Sequence, residues 1–275
     1  MLPCSIRNIL IISLLLLATT PVNAQDNALA AKLADMANRE FLERNSLHQA
    51  LTHINQAIKL DKKSGNNYYI RAEIYKRMEE DEMALNDINR AVELAPNQAY
   101  FYECKANILL TLKQNKQALE AADMAVRLKP DSITRTTRAM VLIAMGKLQE
   151  AKAAFDKLVA EDTNDFRARM RRVAINKKLN CWPPVVEDMS FLMKRDNQNS
   201  FSYKTHFLDR GIAYLKLKQF DKAEQDLKFA LKVMPDNREV HQALLELYKT
   251  TKRAKEARAE ESYLNEMDED IKPFK

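Results

Sequence analysis

The chain has 275 residues, with 44 Lys and Arg against 38 Asp and Glu, a formal net charge of +6, and 46% hydrophobic residues. Its three glycines (Gly65, Gly146 and Gly211) cannot assemble a dinucleotide fingerprint or a P-loop, which excludes the glycine-rich phosphate cradles. So few glycines, beside an abundance of good helix formers, also argue against a sheet-rich fold with many tight turns.

The N-terminal segment 1–24, MLPCSIRNILIISLLLLATTPVNA, carries one cation, Arg7, and no acid. The apolar run from Ile9 to Ala18 is about half of the roughly 20 residues that a spanning helix needs. Pro21 and the small outer residues of Val22-Asn23-Ala24 follow it, so residues 1–24 read as a signal peptide removed after Ala24, with a retained membrane anchor as the alternative. Cys4 precedes the apolar run, so no lipoprotein cysteine follows it. The chain is therefore expected to be exported, to the periplasm or beyond, with no integral span after cleavage. Residues 25–30 read as a linker.

From there the sequence repeats itself with a period of about 34 residues. Between the segments beginning at Gly65 and Ala99, Tyr68 falls on Tyr102, Ala72 on Ala106, Ala84 on Ala118, Ala91 on Ala125 and Pro96 on Pro130. A third copy from Lys204 places Phe207, Gly211, Tyr214, Ala223, Ala230 and Pro235 at the same points. Weaker copies begin at Ala31 (Phe41, Ala50, Ile54, Ala57), at Ser132 (Ala139, Leu142, Gly146, Ala151, Phe155) and at Arg238 (His241, Tyr248, Ala257). The segment from Phe166 to Tyr203 fits poorly and is four residues too long.

This pattern resembles the tetratricopeptide repeat (TPR) family, in which each unit of about 34 residues forms two antiparallel helices. The resemblance covers nearly all of the chain beyond residue 30. It implies an all-α, right-handed TPR helical-hairpin solenoid of about seven units: four over 31–165, an irregular TPR-like unit over 166–203, two more over 204–271 with a polar C-terminal cap, and a tail over 272–275. Small residues at repeat positions 8, 20 and 27 let helices approach closely, and proline at position 32 ends the second helix. The irregular unit is expected to alter the superhelix or to divide it into sub-stacks, 31–165 and 204–271. Cys104 and Cys181 lie two repeats apart, about 20 Å, whereas a disulfide needs Cα atoms within about 7 Å; two separate thiols are expected.

Chemistry is sparse. His48 and His53 are not at the i, i+4 spacing of a zinc-binding helix, and no cysteine pair has ligand spacing. No nucleophile elbow occurs. Carboxylates alternate with Lys and Arg, as in KQFDKAEQDLKFALK, the look of a solvated helix face. No catalytic, cofactor or metal site is expected. Interspersed charges of both signs also argue against nucleic acid, which calls for a concentrated basic stripe.

The expected role is binding of a protein or peptide. TPR proteins present first-helix positions on a concave wall, which in this register offers Asn66, Tyr69, Ile70, Glu73 and Arg77 in one repeat, Tyr100, Glu103, Cys104, Asn107 and Thr111 in the next, and Thr136, Thr137 and Met140 in the one after. Tyrosine suits recognition because it joins large area to a polar tip. One local stripe, RARMRRVAINKK, has six basic residues and no acid. Arg167, Arg171 and Lys178 fall within about 40° on a helix, whereas Arg169 and Arg172 point elsewhere. The alternative partner is therefore an anionic polymer or lipid head group held by these three. The carboxylate clamp of some TPR proteins is not matched, since Tyr69, Glu73 and Cys104 stand at its Lys and Asn places. As an exported TPR protein, the chain is expected to serve envelope assembly or secretion machinery.

Overall fold

The computed structural model describes residues 21–43, 46–195 and 201–270. These residues form helices only: α1 (Pro21–Leu42), α2 (Leu47–Leu60), α3 (Gly65–Arg77), α4 (Asp81–Leu94), α5 (Ala99–Thr111), α6 (Asn115–Leu128), α7 (Ser132–Ala144), α8 (Leu148–Glu161), α9 (Phe166–Lys178), α10 (Trp182–Met193), α11 (Phe201–Lys216), α12 (Phe220–Val233), α13 (Arg238–Thr250) and α14 (Ala254–Asp270). The apolar run read as a signal lies outside the described residues. Residues 25–30, expected to be a linker, belong to α1, because NALAAKLAD holds no helix breaker and Ala30 is buried.

Each hairpin starts and stops where its chemistry dictates. Side chains of Ser64, Asp131, Asp165 and Asn237 cap first helices by accepting from the backbone N–H three residues on. Between first and second helix, six residues adopt left-handed backbone: Glu79, Lys113, Gly146, Asn180, Lys218 and Lys252. Around each, two backbone bonds close a Schellman turn, as in Gln114 N–H to Leu109 O (2.8 Å) and Lys113 N–H to Leu110 O (3.0 Å). Successive left-handed residues are 34, 33, 34, 38 and 34 apart. The four extra residues therefore lie between Asn180 and Lys218.

The chain divides into two compact units between Lys147 and Leu148, next to Gly146, and not around 166–203. The irregular repeat is no break because its packing is continuous: α9 lies on α8 and α10, and the core of Val173, Val185, Met189 and Leu192 reaches Ala213 of α11. In the N-terminal unit the first helices α1, α3, α5 and α7 pack on one another in series, while no two second helices among the described residues do so to a comparable extent. Helices that converge on one side and splay on the other make the first-helix wall concave. The C-terminal unit pairs α9 with α10, α11 with α12 and α13 with α14 in the same manner.

The alanines at positions 8, 20 and 27 are fully buried, including Ala72, Ala84 and Ala91 in one repeat and Ala106, Ala118 and Ala125 in the next. Gly211 is tighter still, for a Cβ there would meet Leu227 at 2.9 Å and Asp226 Cβ at 3.3 Å. Gly211→Ala is expected to lose about 1–3 kcal/mol by overpacking, against a helix-propensity gain of about 1 kcal/mol. Urea unfolding would show a lower midpoint; a higher one would mean that α11 and α12 can separate without cost.

Second helices are tied to first helices by a set of arginines that the sequence pattern conceals. Arg71 holds Asp87 bidentately (2.6 and 2.8 Å) and reaches Asn55 of the preceding hairpin (2.8 Å). Arg210 does the same with Asp226 (2.7 and 2.9 Å) and Ser190 (3.2 Å). Arg172 joins Asp188 (2.7 Å twice) and, at 3.5 Å, Asp156. In each case the arginine stands at repeat position 7, the aspartate at 23, and the backward partner at 25 of the previous repeat. Arg138 makes the backward bond, to Asp123 at 2.6 Å. Aromatics at positions 4 and 11 flank the guanidinium: Tyr68 and Tyr75 beside Arg71, Phe207 and Tyr214 beside Arg210. Asp87, Asp188 and Asp226 are thus buried, where the alternation of charges suggested solvated faces.

In the irregular repeat, positions 4 and 11 are Arg169 and Asn176. Arg169 adds a second guanidinium to Asp188 (2.5 Å) and stacks on Phe191, 4.0 Å from the ring centre. Asn176 is fully buried, and neither of its amide atoms has a hydrogen-bond partner among the described residues. Pro183 and Pro184 sit in the first turn of α10, where their missing N–H groups cost nothing, and Trp182 packs on the local core. Cys104 and Cys181 are free thiols.

Candidate functional site

On the first-helix wall of the N-terminal unit, α3 and α5 bring Tyr69 and Tyr100 into edge-to-face contact, with ring centres 5.0 Å apart. Phe101, almost fully buried, supports both rings at 5.5 and 4.6 Å. Tyr69 is half-buried, whereas Tyr100 keeps 39% of its surface exposed, so the pair is anchored on one side and open on the other. Burial, reinforced by the nearby Glu73 charge, raises the Tyr69 hydroxyl well above the usual tyrosine range.

One turn along α3, Glu73 accepts from Lys76 Nζ (2.6 Å) and from the Cys104 thiol (2.8 Å). Burial first, then Glu73, pushes that thiol well above its ordinary value, so it stays protonated and inert. Glu103 is half-buried on α5. Burial, together with Asp131 and Glu73, raises its carboxyl against the opposing effects of Lys76 and a hydrogen bond from Thr137. Asn107 follows one turn further along α5, partly exposed.

Tyr69, Glu73, Tyr100 and Asn107 therefore share one wall. Three other residues assigned to it do not face outward: Ile70, Cys104 and Thr137 are buried. All three stand at repeat position 6, which packs into the seam between successive first helices. The register already placed Glu103 on this wall among several residues, and its raised carboxyl in the folded chain sets it apart from them.

Arg167, Arg171 and Lys178 belong to the C-terminal unit. Arg167, Arg171 and Lys178 are all exposed on α9. Arg167 lies over the Phe166 ring at 5.8 Å. Phe166 and Met170, 56% and 40% exposed, share this face. No ion pair among the described residues engages Arg171 or Lys178. The other basic residues of the stripe are committed to structure: Arg169 and Arg172 to Asp188, and Lys177 to Asp209. Among the described residues there is no group of three or more side chains able to hold a metal ion, and no helix is long and apolar enough to cross a membrane.

A family model described as the tetratricopeptide repeat matches residues 66–98 and 134–165. The chain is 29% identical over 109 residues to DnaJ homolog subfamily C member 3 of Gallus gallus, a stretch that covers 40% of this chain and only 21% of that protein. Among solved structures, PilF of Pseudomonas aeruginosa superposes with a TM-score of 0.65 at 16% identity, over 79% of this chain and 97% of its own. PilW, a widely conserved type IV pilus biogenesis factor, gives 0.66 at 17% identity over 79% and 99%. YrrB, a TPR protein with an unusual peptide-binding site, gives 0.57 at 20% identity over 69% and 96%. At these identities the likeness is one of fold. The matched segments, the regular beat of the inter-helix turns and the pairwise helix packing agree: the chain carries tetratricopeptide repeats and has the helical-repeat fold of TPR proteins.

Proposed function

We propose that this chain is a non-catalytic, extracytoplasmic scaffold that holds a protein or peptide against the first-helix wall of its N-terminal unit, in the service of envelope assembly or secretion machinery. The observation that carries the reading is the Tyr69–Tyr100 pair: two anchored aromatic rings bridging successive repeats, one of them open, with the polar side chains of Glu103 and Asn107 beside them. Rigid aromatics flanked by hydrogen-bonding groups are what a binding hot spot needs. The reading is supported by likeness of fold to a pilus biogenesis factor and to a peptide-binding TPR protein, and by the export signal read at the N-terminus.

The test is site-specific photo-crosslinking in the native cell, with the probe replacing Tyr100 and, as control, Asn86 on the outer face of α4. A discrete adduct from position 100 alone is expected, and mass spectrometry would identify its partner. No adduct at 100, or equal adducts at both positions, would overturn the groove reading.

A second reading is favoured by one observation. Arg171 is exposed at position 6, which is buried in three repeats of the other unit, and Arg167 and Lys178 extend the same face over about 16 Å. Such a stripe suits an anionic polymer or lipid head groups. Binding of that kind falls steeply as salt rises.

A further inference from the structure

Beside Tyr100 lies a cleft of about 420 Å³ between the N-terminal ends of α5 and α7. Its walls include Tyr100, Glu103, Leu128, Asp131 and Ile133. The polar groups of this cleft are unevenly neutralised. Asp131 is occupied, capping α7 through Thr134 N–H (3.0 Å) and pairing with Lys129 at 3.0 Å. Lys129 also borders the cleft but is held by that pair, and Lys76, which faces Glu103 from α3, is held by Glu73. Glu103 has no ion pair among the described residues; it is helped only by Lys76, whose ammonium Glu73 already engages, and by the neutral Thr137 hydroxyl.

We infer that this cleft takes a cationic side chain, lysine or arginine, of the peptide bound on the wall; the inference rests on the peptide-binding reading above. The chemistry selects the cation by exclusion of the other classes. An acidic side chain would enter beside Glu103 and Asp131. An apolar one would strip water from Glu103 and leave a carboxylate whose nearby cation, Lys76, is already shared with Glu73. A cation gains a charge-assisted bond to Glu103 and can lie over the open Tyr100 ring. Its aliphatic stem can cover Leu128 and Ile133, the latter 60% exposed and otherwise an apolar side chain facing water. The same carboxyl, held above its usual range by burial and its acidic neighbours, is relieved when the cation arrives.

The experiment is selection of random displayed peptides on the full chain, with Tyr100→Ala and Glu103→Gln as comparison proteins. Peptides whose binding is lost with Tyr100→Ala are expected to converge on Lys or Arg at one position. Their affinity should fall about tenfold or more on Glu103→Gln, a near-isosteric change. Replacing a selected arginine with neutral citrulline should cost as much in the wild type, and add little in Glu103→Gln, because both changes remove the same contact. Circular dichroism of Glu103→Gln should match the wild type, which separates lost binding from lost folding. Tyr100-dependent peptides with no basic position would overturn the cation inference and leave the groove intact. No Tyr100-dependent peptide at all would overturn the groove reading, and this inference with it.

Discussion

Asp188→Ala is expected to destabilise the C-terminal unit by about 3–5 kcal/mol, the cost of removing one partner from a buried ion cluster. Asp188 has no exposed surface and receives three guanidinium bonds, one from Arg169 and two from Arg172. Its loss strands two arginines that are themselves almost fully buried. Glu187 cannot replace it: the carboxylate is 3.5 and 3.3 Å from the two arginines and its side chain is 64% exposed. Trp182, the only tryptophan of the chain, packs on the same core and reports this region directly. A urea midpoint from its fluorescence that barely moves would show that water or Glu187 takes over the carboxylate's work. The triple replacement Asp188→Leu, Arg169→Leu, Arg172→Met should recover much of the loss, because an apolar cluster of similar volume needs no desolvation of charge.

The opposite sign is expected one turn beyond Arg172 on the same helix, at Asn176. Asn176→Leu should stabilise the unit by about 2–4 kcal/mol, since it removes two buried polar atoms without partners, each costing about 1–3 kcal/mol. Position 11 is large and apolar or aromatic in the other repeats: Phe41, Tyr75, Leu109, Leu142, Tyr214 and Tyr248. Leucine already occupies it twice, almost fully enclosed, at Leu109 and Leu142. The expected result is a higher urea midpoint at unchanged slope. A lower midpoint would mean that the pocket cannot accept a branched chain, and would move the explanation from polarity to shape.

The periodic skeleton was legible because its cause is local. Small residues at positions 8, 20 and 27 recur in most copies where helices touch, and proline follows the second helix at Pro96, Pro130 and Pro235, so spacing alone exposes the hairpins. The arginine ties were not legible, although Arg71 and Asp87, Arg172 and Asp188, and Arg210 and Asp226 all share one interval along the chain. A charge on a helix that also carries many solvated charges has no signature of its own. Only reading positions 7 and 23 down all copies would have set these pairs apart. For the candidate wall, the register placed Tyr69, Glu73, Tyr100 and Asn107 together but carried Ile70, Cys104 and Thr137 with them. How deeply position 6 sinks into a seam depends on how closely successive first helices approach, which is a tertiary quantity. Glu103 was placed on the wall but not singled out, for a related reason: an acid becomes distinctive only when its cations are known to be engaged elsewhere.

The arginine ties are also unevenly spread over the N-terminal unit. Arg71 fastens the seam between its first two hairpins and Arg138 fastens the third seam, but the middle one has Lys105 at position 7 facing Asn89 at position 25. Both line a cleft of about 540 Å³, where the other seams have a bonded guanidinium. The middle seam thus lacks the guanidinium tie of its neighbours and is joined instead by the Tyr69, Tyr100 and Phe101 rings and by the Cys104–Glu73 bond. Under the proposed function, the wall offered to a partner crosses the one seam of the unit that rings rather than a guanidinium hold together.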